Sequence, residues 1–355
     1  MIDRQEQYSG TRDVRKAHEF DVSRLEEYMS SHVESFHGPL EVRQFKGGQS
    51  NPTYLLSSPT GRYVLRRKPP GKLLESAHAV DREFRIISAL YAADFPVPRP
   101  AVLCKDDEVI GTMFFIMEFV DGRIFWNPEA PGLGREERAA LYDNVNETLA
   151  RLHNFDYTAL GLGDYGKPGN YFDRQISRWA GQYRASETHT VDAMDRLIEW
   201  LPENVPADES ASIVHGDFRL DNMIVHPEEP RVIAVLDWEL STIGHPLADF
   251  TYHLMAWQMP DIGIGSAGLV DADLEDLGIP TVDAYTEAYC ARTGRDAGIA
   301  NRGFYSAFNF FRLAAILQGI AGRVRDGTAA SAHAAQAVHA VEPLAKLGWG
   351  YTQGK

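Results

Sequence analysis

The sequence predicts an α+β chain in two lobes, a small strand-rich N-terminal lobe with one key helix and a larger, mostly helical C-terminal lobe. Three observations carry this expectation. Short strand-like runs punctuated by turn residues fill the region up to residue 120, with one apolar-periodic stretch among them. Helical stripes dominate beyond Asp121-Gly122. The length, 355 residues, also exceeds what a single hydrophobic core usually serves.

Residues 1–20 are polar and read as a flexible N-terminal segment. Val22, Leu25 and Met29 then keep helical spacing, with Ser23 and Glu26 offering a capping box. Strands are expected at Glu41–Phe45, Thr53–Ser57 and Arg62–Arg67, the first two joined through Lys46-Gly47-Gly48-Gln49-Ser50-Asn51-Pro52. A helix over Val80–Tyr91 places Val80, Phe84, Ile87 and Tyr91 on one face. Pro96-Val97-Pro98-Arg99-Pro100 forces extended chain, after which Ala101–Cys104 and Val109–Val120 read as a hairpin. These elements define lobes over residues 21–120 and 121–355.

In the second lobe, Leu141, Val145, Leu149 and Leu152 form a helical stripe. So do Phe172, Ile176, Trp179 and Tyr183, and again Met194, Leu197, Ile198 and Leu201. Short strands are expected at Ser212–Val214, Met223–Val225 and Val232–Leu236. Helix resumes after Pro246, through Arg302–Val324 and Ala329–Leu347. Phe304, Phe308, Phe311 and Ile316 read first as core.

Composition narrows the function classes. At 44% hydrophobic and 24% charged, the chain has the makings of an ordinary globular core. A net charge of −15 repels nucleic acid and anionic lipid, so neither a nucleic-acid nor a membrane partner is expected. The acidity serves solubility more than it selects a cationic ligand. Cys104 and Cys290 stand far apart in no ligand-like spacing, which suits a reducing cytoplasm and argues against a disulfide framework or zinc site. Met1–Gly10 shows no signal-peptide pattern, and no apolar run is long enough for a membrane span.

The most informative stretch is Ile213-Val214-His215-Gly216-Asp217-Phe218-Arg219-Leu220-Asp221-Asn222-Met223-Ile224-Val225. Asp217 and Asn222 lie on a polar loop held between apolar strands. Downstream, Val232–Leu236 runs into Asp237-Trp238-Glu239, a carboxylate at a strand's end. Phosphoryl transfer needs such parts. One carboxylate takes the acceptor hydroxyl's proton, while an amide oxygen and a second carboxylate hold Mg²⁺ on the phosphates. The pattern nominates Asp217 as base, Asn222 and Asp237 as metal ligands, and Arg219 as a γ-phosphate contact.

The run His215-Gly216-Asp217 with Asn222, followed by Leu236-Asp237-Trp238-Glu239, resembles the aminoglycoside phosphotransferase and choline kinase superfamily. It is most similar to the branch found as the N-terminal kinase-like domain of acyl-CoA dehydrogenase fusion proteins. Further matching segments are Gly47-Gly48-Gln49-Ser50-Asn51, Tyr63-Val64-Leu65-Arg66, Gly244-His245-Pro246-Leu247-Ala248-Asp249 and Phe311-Arg312-Leu313. The resemblance runs from Val22 to Leu347. It implies a bilobal protein-kinase-like fold, ATP and Mg²⁺ as cofactors, and transfer of a γ-phosphoryl group to a hydroxyl of a small metabolite.

It also implies roles for the first lobe as the nucleotide-binding one and the second as the catalytic and substrate one. Gly47, Gly48 and Ser50 would cradle phosphates. Period-two alternation puts Val64 and Arg66 on one face of their strand, where Arg66 stands in for the phosphate-binding Lys of related kinases. Lys68 shares that face as the alternative. Glu83 lies on an apolar helical stripe and would pair with the cation. Val64 would cover the adenine, and main-chain groups of Glu118 and Val120 would bind its edge. Asp249 would hold the catalytic loop, and Glu239 either supports the metal or faces solvent.

His215 reads as a hydrogen-bond donor orienting the loop, and His226 and His245 as surface or turn residues. The acceptor favoured is a hydroxyacyl-CoA or hydroxy acid over an amino-sugar or choline-like alcohol, with Trp257, Tyr285, Tyr289, Phe308 and Arg312 as candidate pocket residues. Two other readings are a catalytically silent nucleotide-binding module of the same fold, and a metal-dependent hydrolase built from His215, Asp217, Asp237 and His245.

Overall fold

Antiparallel pairing organises the N-terminal part of the chain. In the computed structural model, residues 9–46, 51–69, 79–260, 268–326 and 334–354 are described. A six-stranded sheet is built from β1 (Thr11–Arg12), β2 (Glu41–Phe45), β3 (Thr53–Ser58), β4 (Gly61–Arg67), β5 (Pro100–Cys104) and β6 (Phe114–Glu118), in the order β1-β2-β3-β4-β6-β5. Tyr54 pairs with Leu65 and Leu65 with Ile116, so one face gathers Tyr54, Leu56, Leu65, Phe114 and Ile116. Leu25 and Met29 of α1 (Val22–His32) join that core. Pleating sends the next residue the other way. Arg66 therefore shares the opposite face with its cross-strand partner Phe115, against which Phe84 of α2 (Val80–Ala92) packs at 5.8 Å between ring centroids.

Several local expectations change. The cap of α1 is Asp21 rather than Ser23, because Asp21 Oδ1 accepts from the Ser23 and Arg24 N–H groups at 3.0 and 3.1 Å. Glu26 instead accepts from Leu40 N–H. Helix α2 buries Val80, Glu83, Ile86, Ile87 and Leu90, which turns Tyr91 outward at 45% exposure. The strand expected from Val109 starts only at Phe114, because Asp106 caps one helical turn, α3 (Asp107–Ile110), closed by Gly111. Within the segment read as flexible, Thr11 and Arg12 pair with Phe45 and Gln44, and the His18 carbonyl accepts from Tyr54 Oη and Arg67 Nη2.

Contacts divide the chain into two units. The first comprises Met1–Trp126, Thr158–Leu162 and Asp221–Ser241. Besides the sheet it contains the hairpin of β8 (Met223–Val225) and β9 (Val232–Val235), tied by Val235 N–H to the Pro96 carbonyl and by Arg123 to Val225 in both directions. Gly122 permits that approach, since a Cβ there would lie 2.5 Å from the Val225 carbonyl oxygen.

The second unit comprises Asn127–Tyr157, Gly163–Leu220 and Thr242–Lys355. Its helices are α4 (Arg135–Asn154), α5 (Tyr171–Ser186), α6 (Asp192–Glu203), α7 (Pro246–Gln258), α8 (Leu274–Leu277), α9 (Val282–Arg292), α10 (Arg302–Arg325) and α11 (Ala334–Thr352). The expected stripes of α4 and α5 are buried, as are Met194, Leu197 and Leu201 of α6, with Ile198 at the margin. Strand β7 (Ser212–Val214) pairs with β10 (Thr242–Gly244), a strand too short for sequence periodicity to reveal. Phe172 anchors this core against Phe304, Tyr305 and Phe308. Among the described residues no helix is long and apolar enough to cross a membrane. Both cysteines are free and buried.

Candidate active site

In the first unit, the outward step of β4 aims Arg66 at α2. Its Nε lies 2.9 Å from Glu83 Oε2, an ion pair whose angle falls outside hydrogen-bond geometry. Its Nη2 lies 2.5 Å from Asp237 Oδ1 and 3.3 Å from Glu239 Oε2, and Glu239 also accepts from Asn51 Nδ2. Burial works against the Arg66 charge, but the three carboxylates outweigh it and hold the guanidinium above its ordinary range. Burial pushes the Glu83 carboxyl up to about 7, with Asp237 and Glu239 adding to it against the pull of Arg66. The Arg66 guanidinium thus faces three carboxylates. Lys68 makes no ion pair among the described residues; its main chain N–H donates to the Met113 carbonyl.

Asp237 itself sits at φ 65° and ψ 57°, in the left-handed region that Asp visits more readily than most residues. It opens the turn Trp238–Leu240, where Trp238 Nε1 donates to the Val235 carbonyl. The Leu236 N–H donates to the Asn222 carbonyl at 2.8 Å, one step beyond the Met223–Val235 pair. Asn222 and Asp237 therefore flank the same end of the β8–β9 hairpin. Their amide and carboxylate oxygens are hard donors of the kind Mg²⁺ takes when phosphates complete its shell. Among the described residues no group of three or more His, Cys, Asp and Glu side chains is placed to hold a metal alone.

Val64 pairs with Leu55 and Met117 and is nearly buried. The Glu118 N–H donates to the Arg99 carbonyl at 2.9 Å, and Val120 follows, half-buried. Gly47, Gly48 and Ser50 lie outside the described residues.

In the second unit, β7 delivers the loop that bears Asp217. Gly216 takes φ 85°, which a side chain would strain. Asp249, in the first turn of α7, accepts the N–H of His215 at 2.7 Å and of Gly216 at 2.8 Å, as the sequence led one to expect. His153 Nε2 lies 3.3 Å from Asp249 Oδ2, while its Nδ1 meets Tyr289 Oη at 2.6 Å. Burial alone would raise the Asp249 carboxyl, but hydrogen bonds and charge from His153 and His215 overcome it and keep the group ionised. Arg312 Nη2 donates to the Gly216 carbonyl at 2.7 Å. Gly216, the residue before Asp217, is thus held through both its N–H and its carbonyl.

Asp217 Oδ1 accepts from Tyr252 Oη at 2.6 Å, and Arg219 Nε lies 3.2 Å from the same oxygen. His253 Nδ1 meets the Phe218 carbonyl, and burial depresses this imidazole to about 4, keeping it neutral. His215 Nδ1 accepts from the Asp217 N–H at 3.2 Å. His245 is a turn residue, the cap of α7, yet it is buried against Phe172 and Tyr305, not at the surface. His226 accepts two turn N–H groups. Trp257, Tyr285, Tyr289 and Phe308 pack inside the unit, Tyr289 stacked 3.9 Å from Phe250, so their first duty is core. Arg312 is likewise buried beneath the loop.

Neither Tyr252 nor Asn51, the latter within the Gly-rich matching segment, carries a role of its own in the sequence reading. The signal for Tyr252 was its place three residues after Asp249 on one helix face. For Asn51 it was a polar residue ending the Gly-rich run.

The family model described as "Phosphotransferase enzyme family" matches residues 41–298. The chain is 46% identical over 342 residues to acyl-CoA dehydrogenase family member 10 of Mus musculus, covering 96% of this chain but only 32% of that protein. It therefore spans about a third of that relative's length. A crystal structure from Ralstonia eutropha JMP134, provisionally named an aminoglycoside phosphotransferase, is 50% identical, with a TM-score of 0.86 over 95% of this chain and 99% of that one. At 12% identity, spectinomycin phosphotransferase in complex with ADP and spectinomycin shares the fold, with a TM-score of 0.60 over 94% and 99% of the two chains. The chain belongs to the phosphotransferase enzyme family and has its kinase-like fold.

Proposed function

We propose that this chain is an ATP-dependent small-molecule kinase that transfers the γ-phosphoryl group to an alcohol oxygen of a metabolite. The observation that carries the reading is the Arg66 cluster, a guanidinium held on buried Glu83 while its other arm meets Asp237. It presents a fixed cation for phosphate oxygens next to a carboxylate suited to a metal. Asn222 and Asp237 would hold Mg²⁺, which when bound neutralises charge on the β- and γ-phosphoryl oxygens. Arg66 contacts the phosphates, Arg219 the γ-phosphate, and Val64 with the main chain of Glu118 and Val120 receives the adenine. Asp217 takes the acceptor's proton. The intact set of Asp217, Asn222 and Asp237 weighs against a silent binding module.

The acceptor in this reading is a hydroxy acid or hydroxyacyl-CoA, supported by relatives named as acyl-CoA dehydrogenases. Its test is a screen of ATP consumption against hydroxyacyl-CoAs, hydroxy acids, amino-sugars and choline. Turnover confined to the last two classes sinks the acceptor assignment.

The kinase reading is tested by calorimetry and turnover together. ATP should bind more tightly with Mg²⁺ than with EDTA. Asp217→Asn should keep Mg·ATP binding while transfer falls about 10²–10⁴-fold, the usual loss on removing a general base. Asp237→Asn should weaken Mg·ATP itself. Nucleotide binding indifferent to metal, or full turnover by Asp217→Asn, defeats it.

A further inference from the structure

We infer that Tyr252 is a positioning residue for the base, anchoring Asp217 through Oδ1 and so setting the direction in which the carboxylate meets the acceptor's proton. This rests on the reading of Asp217 as the base.

The case begins with helix α7. Asp249, Tyr252 and His253 occupy positions i, i+3 and i+4, one face of a helix. That face grips successive points of the loop: Asp249 takes the His215 and Gly216 N–H groups, Tyr252 the Asp217 side chain, and His253 the Phe218 carbonyl. Two of these grips fix the backbone. Of the three, Tyr252 is the one that meets the Asp217 carboxylate itself.

The contact is short, 2.6 Å, as a hydroxyl bonded to a carboxylate should be. Burial, together with the Asp217 charge, raises the Tyr252 phenol well above its ordinary range, so it remains a donor at any working pH. Its ring is held in turn. The Arg312 guanidinium carbon lies 5.2 Å from the Tyr252 ring centroid and 5.8 Å from that of Trp179, while Arg312 Nη2 bonds the Gly216 carbonyl. Ring, cation and loop are thus one stack, and the direction of the hydroxyl follows from it.

Arg219 Nε stands 3.2 Å from the same Oδ1. The Tyr252 hydroxyl and the Arg219 guanidinium thus converge on one carboxylate oxygen. As the acceptor oxygen bonds to the γ-phosphorus and the bond to the ADP oxygen breaks, its proton passes to the carboxylate that Tyr252 orients.

The test uses the full chain with Mg·ATP, taking water as the acceptor and phosphate release as the rate. Tyr252→Phe keeps the ring and removes only the hydroxyl. We expect kcat to fall about 10–100-fold, the range for losing one hydrogen bond to a charged group, with the KM for ATP within about twofold and the melting temperature nearly unchanged. In an Asp217→Asn background the same change should add less than about twofold, because the hydroxyl acts only through that carboxylate.

An unchanged kcat overturns the inference. So does an increased one, which would mean that the phenol occupies the acceptor's place. Independent, multiplicative losses in the double variant assign Tyr252 a separate role and overturn it as well, as does a Tyr252→Phe protein that no longer folds. Failure of the underlying reading looks different, since then Asp217→Asn itself turns over at the wild-type rate.

Discussion

The two polar clusters are built on opposite principles. Around Arg66, four charged side chains meet from segments far apart in sequence; Arg66 and Asp237 are 171 residues apart. Around Asp217, one face of α7 supplies three grips within five residues, mostly through peptide groups and neutral side chains. The first cluster is governed by charge balance, the second by hydrogen-bond geometry. They should break differently.

The largest effect is expected from Arg66→Met. It strands Glu83, 2% exposed, beside two other carboxylates, and breaking a buried pair in this way costs about 3–5 kcal/mol. Removing Glu83 alone should cost less, because Arg66 keeps Asp237 and Glu239. Urea unfolding of Arg66→Met with and without Glu83→Leu measures this: the second change should restore part of the loss. Strict additivity would mean that charge balance is not what holds the cluster.

In the second cluster, Asp249→Asn turns an accepting oxygen into an amide that faces a backbone N–H. The expected loss is about 2–3 kcal/mol, that of one charge-assisted bond and an unsatisfied donor. A variant as stable as the parent would show that the loop is held elsewhere.

His253 separates the clusters by pH. Its folded imidazole titrates near 4 against 6.5 for an ordinary histidine. Above 6.5 both states are neutral and its contribution is constant. As pH falls from 6.5 towards 4, the unfolded chain binds a proton the folded one refuses, so stability is lost by up to about 3 kcal/mol. Thermal melts across this range should flatten in His253→Gln. An equally steep slope would place the acid sensitivity in other groups.

The smallest effect is a control. The exposed Arg62–Asp121 pair, 2.9 Å apart, should contribute no more than about 0.5 kcal/mol, so Asp121→Asn should melt like the parent.

Much of the first cluster was legible in sequence. Alternation along Tyr63–Arg67 placed Arg66 on a definite face, and a carboxylate on the apolar stripe of α2 called for a cation. The helical stripes of α4 and α5 were equally plain, because burial repeats every turn. Elements of three or four residues were not. Strand β10 and helix α3 are too short for a period to declare itself, and caps such as Asp21 and Asp106 decide boundaries one residue at a time.

By itself, then, the sequence determined which residues face together within an element, and the order of Asp217, Asn222 and Asp237 along the chain. Only the tertiary structure decided that Glu239 and Asn51 join Arg66, that Arg312 lies buried beneath the loop, that His245 is buried, and that Tyr252 holds Asp217. The physical reason is range. Dihedral preferences and side-chain periodicity act over a turn or a strand. Which distant segment covers a given face depends on strand register, on helix packing, and on where buried charges and hydrogen-bonding groups can be satisfied.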